Sequence, residues 1–142
     1  MKSKAPFAEA LADYAHYGQL DKAGRPYIDH PRAVAAQMET DEEKTVAYLH
    51  DVLEDTFVTA DTLRNLFGDT VAEAVIAMTH TQEESYEAYV RRLGENPLAR
   101  RVKLADLRHN MDLNRLPEVT DRDLRRLEKY RRAEAYLMAL EA

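Results

Sequence analysis

Apolar residues in this chain recur at helical spacing, and no run alternates as a half-buried strand would. Residues 6–17 predict a first helix that ends near Gly18. GQLDKAGRPYI follows as a loop, because two glycines and a proline break regular structure there. A short helix is expected around Pro31, a residue favoured in a first helical turn. Thr40-x-x-Glu43 has the form of a capping box and opens a helix that holds AYLHDVLEDT, residues 47–56. Thr59 is placed to cap a short helix, LRNLF, stopped at Gly68. Thr70-x-x-Glu73 and Thr81-x-x-Glu84 repeat the box, and Gly94 closes the second of those helices. A long helix is predicted from Asn96 to about Arg115, ended by Pro117, and Thr120-x-x-Asp123 starts a last helix. The pattern implies an all-α fold: a compact single-domain bundle of about seven or eight helices over residues 1–142. In the last helix, Leu124, Leu127, Leu137 and Leu140 suit either the core or a second subunit.

Length and composition narrow the class. A chain of 142 residues is long enough to bury one core. No apolar run approaches the roughly 18–20 residues of a membrane span. MKSKAPFAEA lacks the apolar centre of a secretory signal, and the absence of cysteine excludes disulfides, thiolate metal sites and cysteine nucleophiles. A cytoplasmic protein is expected. The net charge of −6, with both signs interspersed, argues against a nucleic-acid partner. One stretch, DRDLRRLEKYRR, is basic; a solvated helix face is its first reading and a phosphate-binding patch its second. The oligomeric state is left open.

Through AYLHDVLEDT and the valine before it, a turn of about 100° per residue gathers Val46, Leu49 and Leu53 on one side of the helix. His50, Glu54, Asp51 and Asp55 fan out along the adjoining side, at the edge of the core. YIDHP sets His30 at the start of a helix, and VKLADLRHNMDLNRL sets Asp106 in a stripe with Val102, His109, Asn110 and Leu113. A lone aspartate is costly to bury, so a divalent cation or a Lys or Arg partner must offset it. His30, His50, Asp51 and Asp106 together offer two imidazoles and two carboxylates, a set that suits Mn, Fe, Co, Ni or Zn better than Mg or Ca. Glu54 and Asp55, one turn further on, are placed to orient a water or handle protons. Singly, each of these residues reads as ordinary structure; the combination points to a site. Lys103 reads as an ion-pair partner, His16 as a structural hydrogen-bonder, and Tyr86 and Tyr89 as packing residues ahead of base-stacking ones.

The H…HD…D order resembles the signature of the HD-domain metal-dependent phosphohydrolases. More narrowly, AHYGQLDKAGRPYIDHP, AYLHDVLEDT, FGDTVAEAVIAMT and VKLADLRHNM resemble the hydrolase domain of RelA/SpoT-type alarmone enzymes and their small stand-alone relatives, over about residues 8–116. The resemblance implies a compact helical bundle with His30, His50, Asp51 and Asp106 as ligands of a divalent metal, usually manganese. It implies that Glu54 and Asp55 activate the attacking water, that Asn110 lies near the phosphates, and that Lys22 belongs to the base-binding loop. His109 and Arg25 are further candidates for phosphate contact, with packing and surface charge as their plainer roles. The implied reaction removes the 3′-pyrophosphate of guanosine tetra- or pentaphosphate. The chain departs from the family pattern at Asp21, where a basic residue is usual, at Leu107–Arg108, whose order is exchanged, and at His80, which stands in a threonine-lysine region. Two alternatives stay open: hydrolysis of another nucleotide, and a module that binds a nucleotide or protein without turnover.

Overall fold

Most helices here begin where a short polar side chain replaces a missing backbone partner. The computed structural model describes residues 3–141. Its helices are α1 (Ala5–Ala15), α2 (Asp29–Ala36), α3 (Asp41–Leu49), α4 (Val52–Asp55), α5 (Ala60–Phe67), α6 (Asp69–Ala77), α7 (Tyr86–Gly94), α8 (Pro97–Asn110) and α9 (Asp121–Glu141), with a 3-10 turn at Leu113–Arg115. Among the described residues the only β pairing is an isolated bridge between Leu20 and Pro26. No helix among them is long and apolar enough to cross a membrane.

The boxes at Thr40 and Thr120 form as expected. Thr40 accepts from Glu43 N while Glu43 reaches back to Thr40 N, and Thr120 and Asp123 exchange the same two bonds. Thr59 caps α5 through Thr62 N. The other two boxes do not start helices. Gly68, at φ +91°, turns the chain so that α6 begins at Asp69, leaving Thr70 inside it. Glu84 still accepts from Thr81 N, but it also pairs with Arg92, and Ser85 caps α7 instead. α7 does end at Gly94, as expected, but Gly94 keeps a negative φ and its place is also set by packing. A Cβ there would lie 2.9 Å from Leu140 Cδ1 and 3.2 Å from Leu137 Cδ2, so its role is to let α9 approach.

Two predicted helices are shorter than expected. α8 ends at Asn110 rather than near Arg115, because the Arg115 guanidinium donates back to His109 O (2.7 Å) and Asp112 caps the 3-10 turn through Asn114 N. The helix through AYLHDVLEDT breaks at His50–Asp51, giving α3 and a one-turn α4. His50 Nδ1–H donates to Ala47 O (2.6 Å), the carbonyl that Asp51 N–H would take if the helix ran on. Counting α3 and α4 as one helix gives the eight that the pattern implied.

The apolar core has two parts joined by α8. Ala8, Val34, Val46, Leu49, Leu63, Val75, Val102 and Ala105 pack α1–α6 against one side of α8. Leu104 and Leu107 on its other side meet Leu93 of α7 and Ala133 and Leu137 of α9. The last helix thus packs on the core through Leu137, while Leu124 and Leu140 remain exposed. Asp106 sits on α8 between the two parts, where both can shield it from water.

Candidate metal centre

Three helical regions bring four side chains to one point. His30 enters from the first turn of α2, His50 and Asp51 from the α3–α4 break, and Asp106 from α8. Ligand atoms of buried His30, His50 and Asp106 lie within 4.8 Å of one another. His30 Nε2 is 2.8 Å from Asp106 Oδ1. His50 Nε2 is 3.0 Å from Asp51 Oδ2 and 3.4 Å from Asp106 Oδ1.

The orientation of His50 is informative. A carbonyl only accepts, so the bond to Ala47 O puts the hydrogen on Nδ1 and, in the neutral ring, aims the Nε2 lone pair inward. That Nε2 is buried and makes no hydrogen bond. A lone pair facing two carboxylates inside a protein calls for positive charge, which a second proton or a cation provides. Burial lowers the His50 pKa, but Asp51 and Asp106 outweigh it and hold the ring well above its usual value. A divalent cation meets the same demand while using the lone pair, and two nitrogens with two carboxylates form a suitable donor set. The four residues therefore fit such an ion.

Each of them also has a second partner. His30 Nδ1 lies 2.7 Å from Nδ1 of His109, whose ring stacks on it at 4.9 Å. Burial, then Arg115 and His30, push the His109 pKa down to about 4, so at neutral pH His109 is uncharged. Donation from His30 Nδ1 to His109 leaves His30 Nε2 free to act as a ligand. Asp106 accepts from Lys103 Nζ (2.9 Å) and Asn110 Nδ2 (3.1 Å), and Asp51 from the Tyr27 hydroxyl. Burial alone would raise the Asp106 pKa and lower that of Lys103, yet their mutual attraction keeps both charged. The expected ion-pair role of Lys103 is realised here.

Glu54 and Asp55 stand at the rim, with ligand atoms of Asp51, Glu54 and Asp55 within 4.8 Å of one another. Glu54 Oε1 accepts from His80 N (2.5 Å). Partial burial, opposed by that bond and reinforced by the charges of Asp51 and Asp55, raises the Glu54 pKa. Partial burial and the Asp51 charge raise that of Asp55 as well. Gln19 bridges the region, sharing a hydrogen bond with His16 Nδ1 and donating to Asp55 O.

A cavity of about 320 Å³ opens beside His30, with Lys22, Tyr27, Asn110, Arg126 and Tyr130 in its lining. Its outer wall is the Gly18–Ile28 loop. Asp21 Oδ1 accepts from Ala23 N and Arg25 N (both 2.9 Å) and so organises the turn, which Gly24 completes at φ +81°. Lys22 Nζ pairs with Asp123 Oδ1 (3.3 Å) and fastens the loop to the start of α9. Of the predicted contacts, Lys22 and Asn110 face this cavity; Arg25 and His109 line a neighbouring cleft with Asp29 and Asp112. Sequence reasoning missed Tyr27, Arg126 and Tyr130. Tyr27 precedes His30 by three residues, a spacing that puts both on one face of a helical turn, whereas nothing local marks the two α9 residues.

The HD domain family matches residues 8–109, and the chain belongs to that family. Among its relatives, the bifunctional (p)ppGpp synthase/hydrolase SpoT of Escherichia coli (strain K12) is 37% identical over 119 residues, covering 73% of this chain and 17% of that protein. The guanosine-3′,5′-bis(diphosphate) 3′-pyrophosphohydrolase of Haemophilus influenzae is 37% identical over 116 residues, 71% of this chain and 17% of its own length. The chain thus matches about a sixth of these relatives. A solved structure described as a metazoan ortholog of SpoT that hydrolyzes ppGpp superposes with a TM-score of 0.76 at 24% identity, covering 96% of this chain and 86% of the other. That likeness establishes the fold.

Proposed function

We propose that this protein is a cytoplasmic, divalent-metal-dependent hydrolase that removes the 3′-pyrophosphate of guanosine tetra- or pentaphosphate, releasing pyrophosphate and GDP or GTP. The observation that carries the reading is the buried convergence of His30, His50 and Asp106, with half-buried Asp51 3.0 Å from His50 Nε2 and the lone pair of that nitrogen aimed into the cluster. The relatives named as (p)ppGpp hydrolases supply the substrate. In this reading the four residues hold the ion, manganese being the favoured one. When bound, such an ion acidifies a water and polarises a phosphoryl oxygen.

The chain's own residues do the rest. Glu54 and Asp55, whose carboxyl pKa values are raised by partial burial and neighbouring carboxylates, orient the water and accept its proton. The water oxygen bonds to the phosphorus attached to the ribose 3′ oxygen. The bond from phosphorus to that oxygen breaks, and the oxygen takes up a proton to become the 3′ hydroxyl. Lys22 and Asn110 hold the nucleotide in the cavity beside His30. His109 and Arg25 act from behind it, His109 by orienting His30 and Arg25 as surface charge near the phosphates.

The test incubates metal-stripped protein with Mn²⁺ and guanosine tetraphosphate and follows GDP and pyrophosphate by chromatography. Equal, metal-dependent release of both products supports the reading, and a metal-loaded protein without turnover sinks it. One observation favours a second reading, hydrolysis of another nucleotide: Asp21 puts a carboxylate where the base-binding loop usually carries a cation, and its Oδ1 is engaged by the loop backbone.

A further inference from the structure

A second cavity, of about 260 Å³, opens on the His50–Asp51 side of the ligand cluster. Its lining includes Glu54, Lys103, Lys129, Tyr86 and Tyr130, and Tyr130 also lines the cavity beside His30. The two spaces therefore meet around one tyrosine, with the ligand cluster reached from both.

Three features of the second cavity suit an anion. Lys129 comes from the basic stretch of α9, and its Nζ rests 4.4 Å from the Tyr86 ring centroid and 5.6 Å from that of Tyr130. It makes no ion pair among the described residues, so its charge is held by aromatic faces and left free for a ligand. Lys103 lines the same space, and Asp106 takes only one of the three hydrogens on its Nζ. The Tyr86 hydroxyl is buried without a hydrogen-bond partner, an unmet donor next to both lysines. On the opposite wall Asp51 and Glu54 are negative, which makes the space hospitable to an anion only once a cation occupies the ligand cluster.

We propose that this cavity is the pyrophosphate subsite, in which Lys129 and Lys103 supply charge and the Tyr86 hydroxyl a hydrogen bond to the two-phosphorus group that hydrolysis releases. The inference rests on the reading that the substrate carries a pyrophosphate beside the scissile bond. The nucleoside then lies in the cavity beside His30 and the pyrophosphate in the second one, with Tyr130 between them. Lys129 acts by binding, and it takes no part in moving the proton.

The experiment is calorimetric titration of inorganic pyrophosphate into Mn²⁺-loaded wild type, Lys129→Ala, Lys129→Arg and Tyr86→Phe, with GDP titrated in parallel. Guanosine tetraphosphate turnover by the wild type is measured separately. Lys129→Ala should bind pyrophosphate about tenfold more weakly, in the range of one charge-assisted contact at a partly exposed site. Lys129→Arg should recover most of that loss, Tyr86→Phe should show a smaller one, and GDP affinity and thermal stability should stay at wild-type values. Unchanged pyrophosphate affinity in Lys129→Ala, or an equal loss for GDP, overturns the subsite. The two readings fail separately. Turnover with unchanged pyrophosphate binding removes the subsite and leaves the hydrolase. Weakened pyrophosphate binding without turnover retains the subsite and removes guanosine tetraphosphate as substrate.

Discussion

The inner and outer sides of the ligand cluster are built on different rules. On the inner side every candidate ligand is fixed by a partner of its own: Ala47 O for His50, His109 for His30, Lys103 and Asn110 for Asp106, Tyr27 for Asp51. These bonds form in or beside the core, where an unmet polar group is costly. On the outer side the cavity wall is a loop tied to α9 by Lys22 and Asp123, and the lysine side chain is 52% exposed. A pair of that kind contributes only about 0–1 kcal/mol. The candidate ligands are thus each fixed by partners in or beside the core, whereas the outer wall of the cavity can change without endangering the fold.

The largest effect expected is that of Asp106→Ala. It removes a candidate ligand and leaves the buried Lys103 charge without its ion-pair partner, with an expected loss of about 3–5 kcal/mol in stability along with the metal and all hydrolysis. His50→Ala should abolish metal retention and turnover without the lysine penalty. Metal analysis and thermal unfolding of both variants separate the two contributions, and a metal-replete, active Asp106→Ala protein would break the comparison outright.

Next comes Glu54→Gln. It should retain the ion while kcat falls by about 10²-fold or more, as loss of a general acid–base group does. Unaltered kcat would show that Glu54 handles no proton. Tyr27→Phe probes the partner of Asp51, and metal affinity should drop about tenfold with the fold intact. Equal affinity in the two proteins would mean that the inner side is less closely specified than its hydrogen bonds suggest.

The smallest effect belongs to the outer side. Lys22→Ala should change stability by less than about 1 kcal/mol and leave metal content alone, while KM for the nucleotide rises several-fold. A collapse in stability or in metal content would erase the contrast between the two sides. Asp21→Arg gains a cation of the usual kind, but it gives up the two backbone bonds that shape the loop, so the structure argues against any improvement in turnover.

Much of this protein is written locally in its sequence. The boxes at Thr40 and Thr120 and the cap at Thr59 join residues three apart, so their geometry is set before any tertiary contact forms. The four candidate ligands were legible too, because two imidazoles and two carboxylates come from three separate motifs, a combination that no single structural role explains. Where local signals competed, only the folded chain decided. The boxes at Thr70 and Thr81 lost to the turn at Gly68 and to the Ser85 cap, and the helix through His50 broke when its imidazole took a backbone carbonyl. Gly94 ends α7 as its sequence suggests, but only the folded chain shows that it also makes room for Leu140. The sequence by itself determined most of the helical segments and the residue types of the cluster, since both depend on residue type and short spacing. The path of α9 was decided by packing of Ala133 and Leu137 on α7 and α8, and that path alone carries Arg126, Lys129 and Tyr130 to the cavities. Contacts between residues far apart in the chain leave no periodic trace, so the walls of the site became visible only in three dimensions.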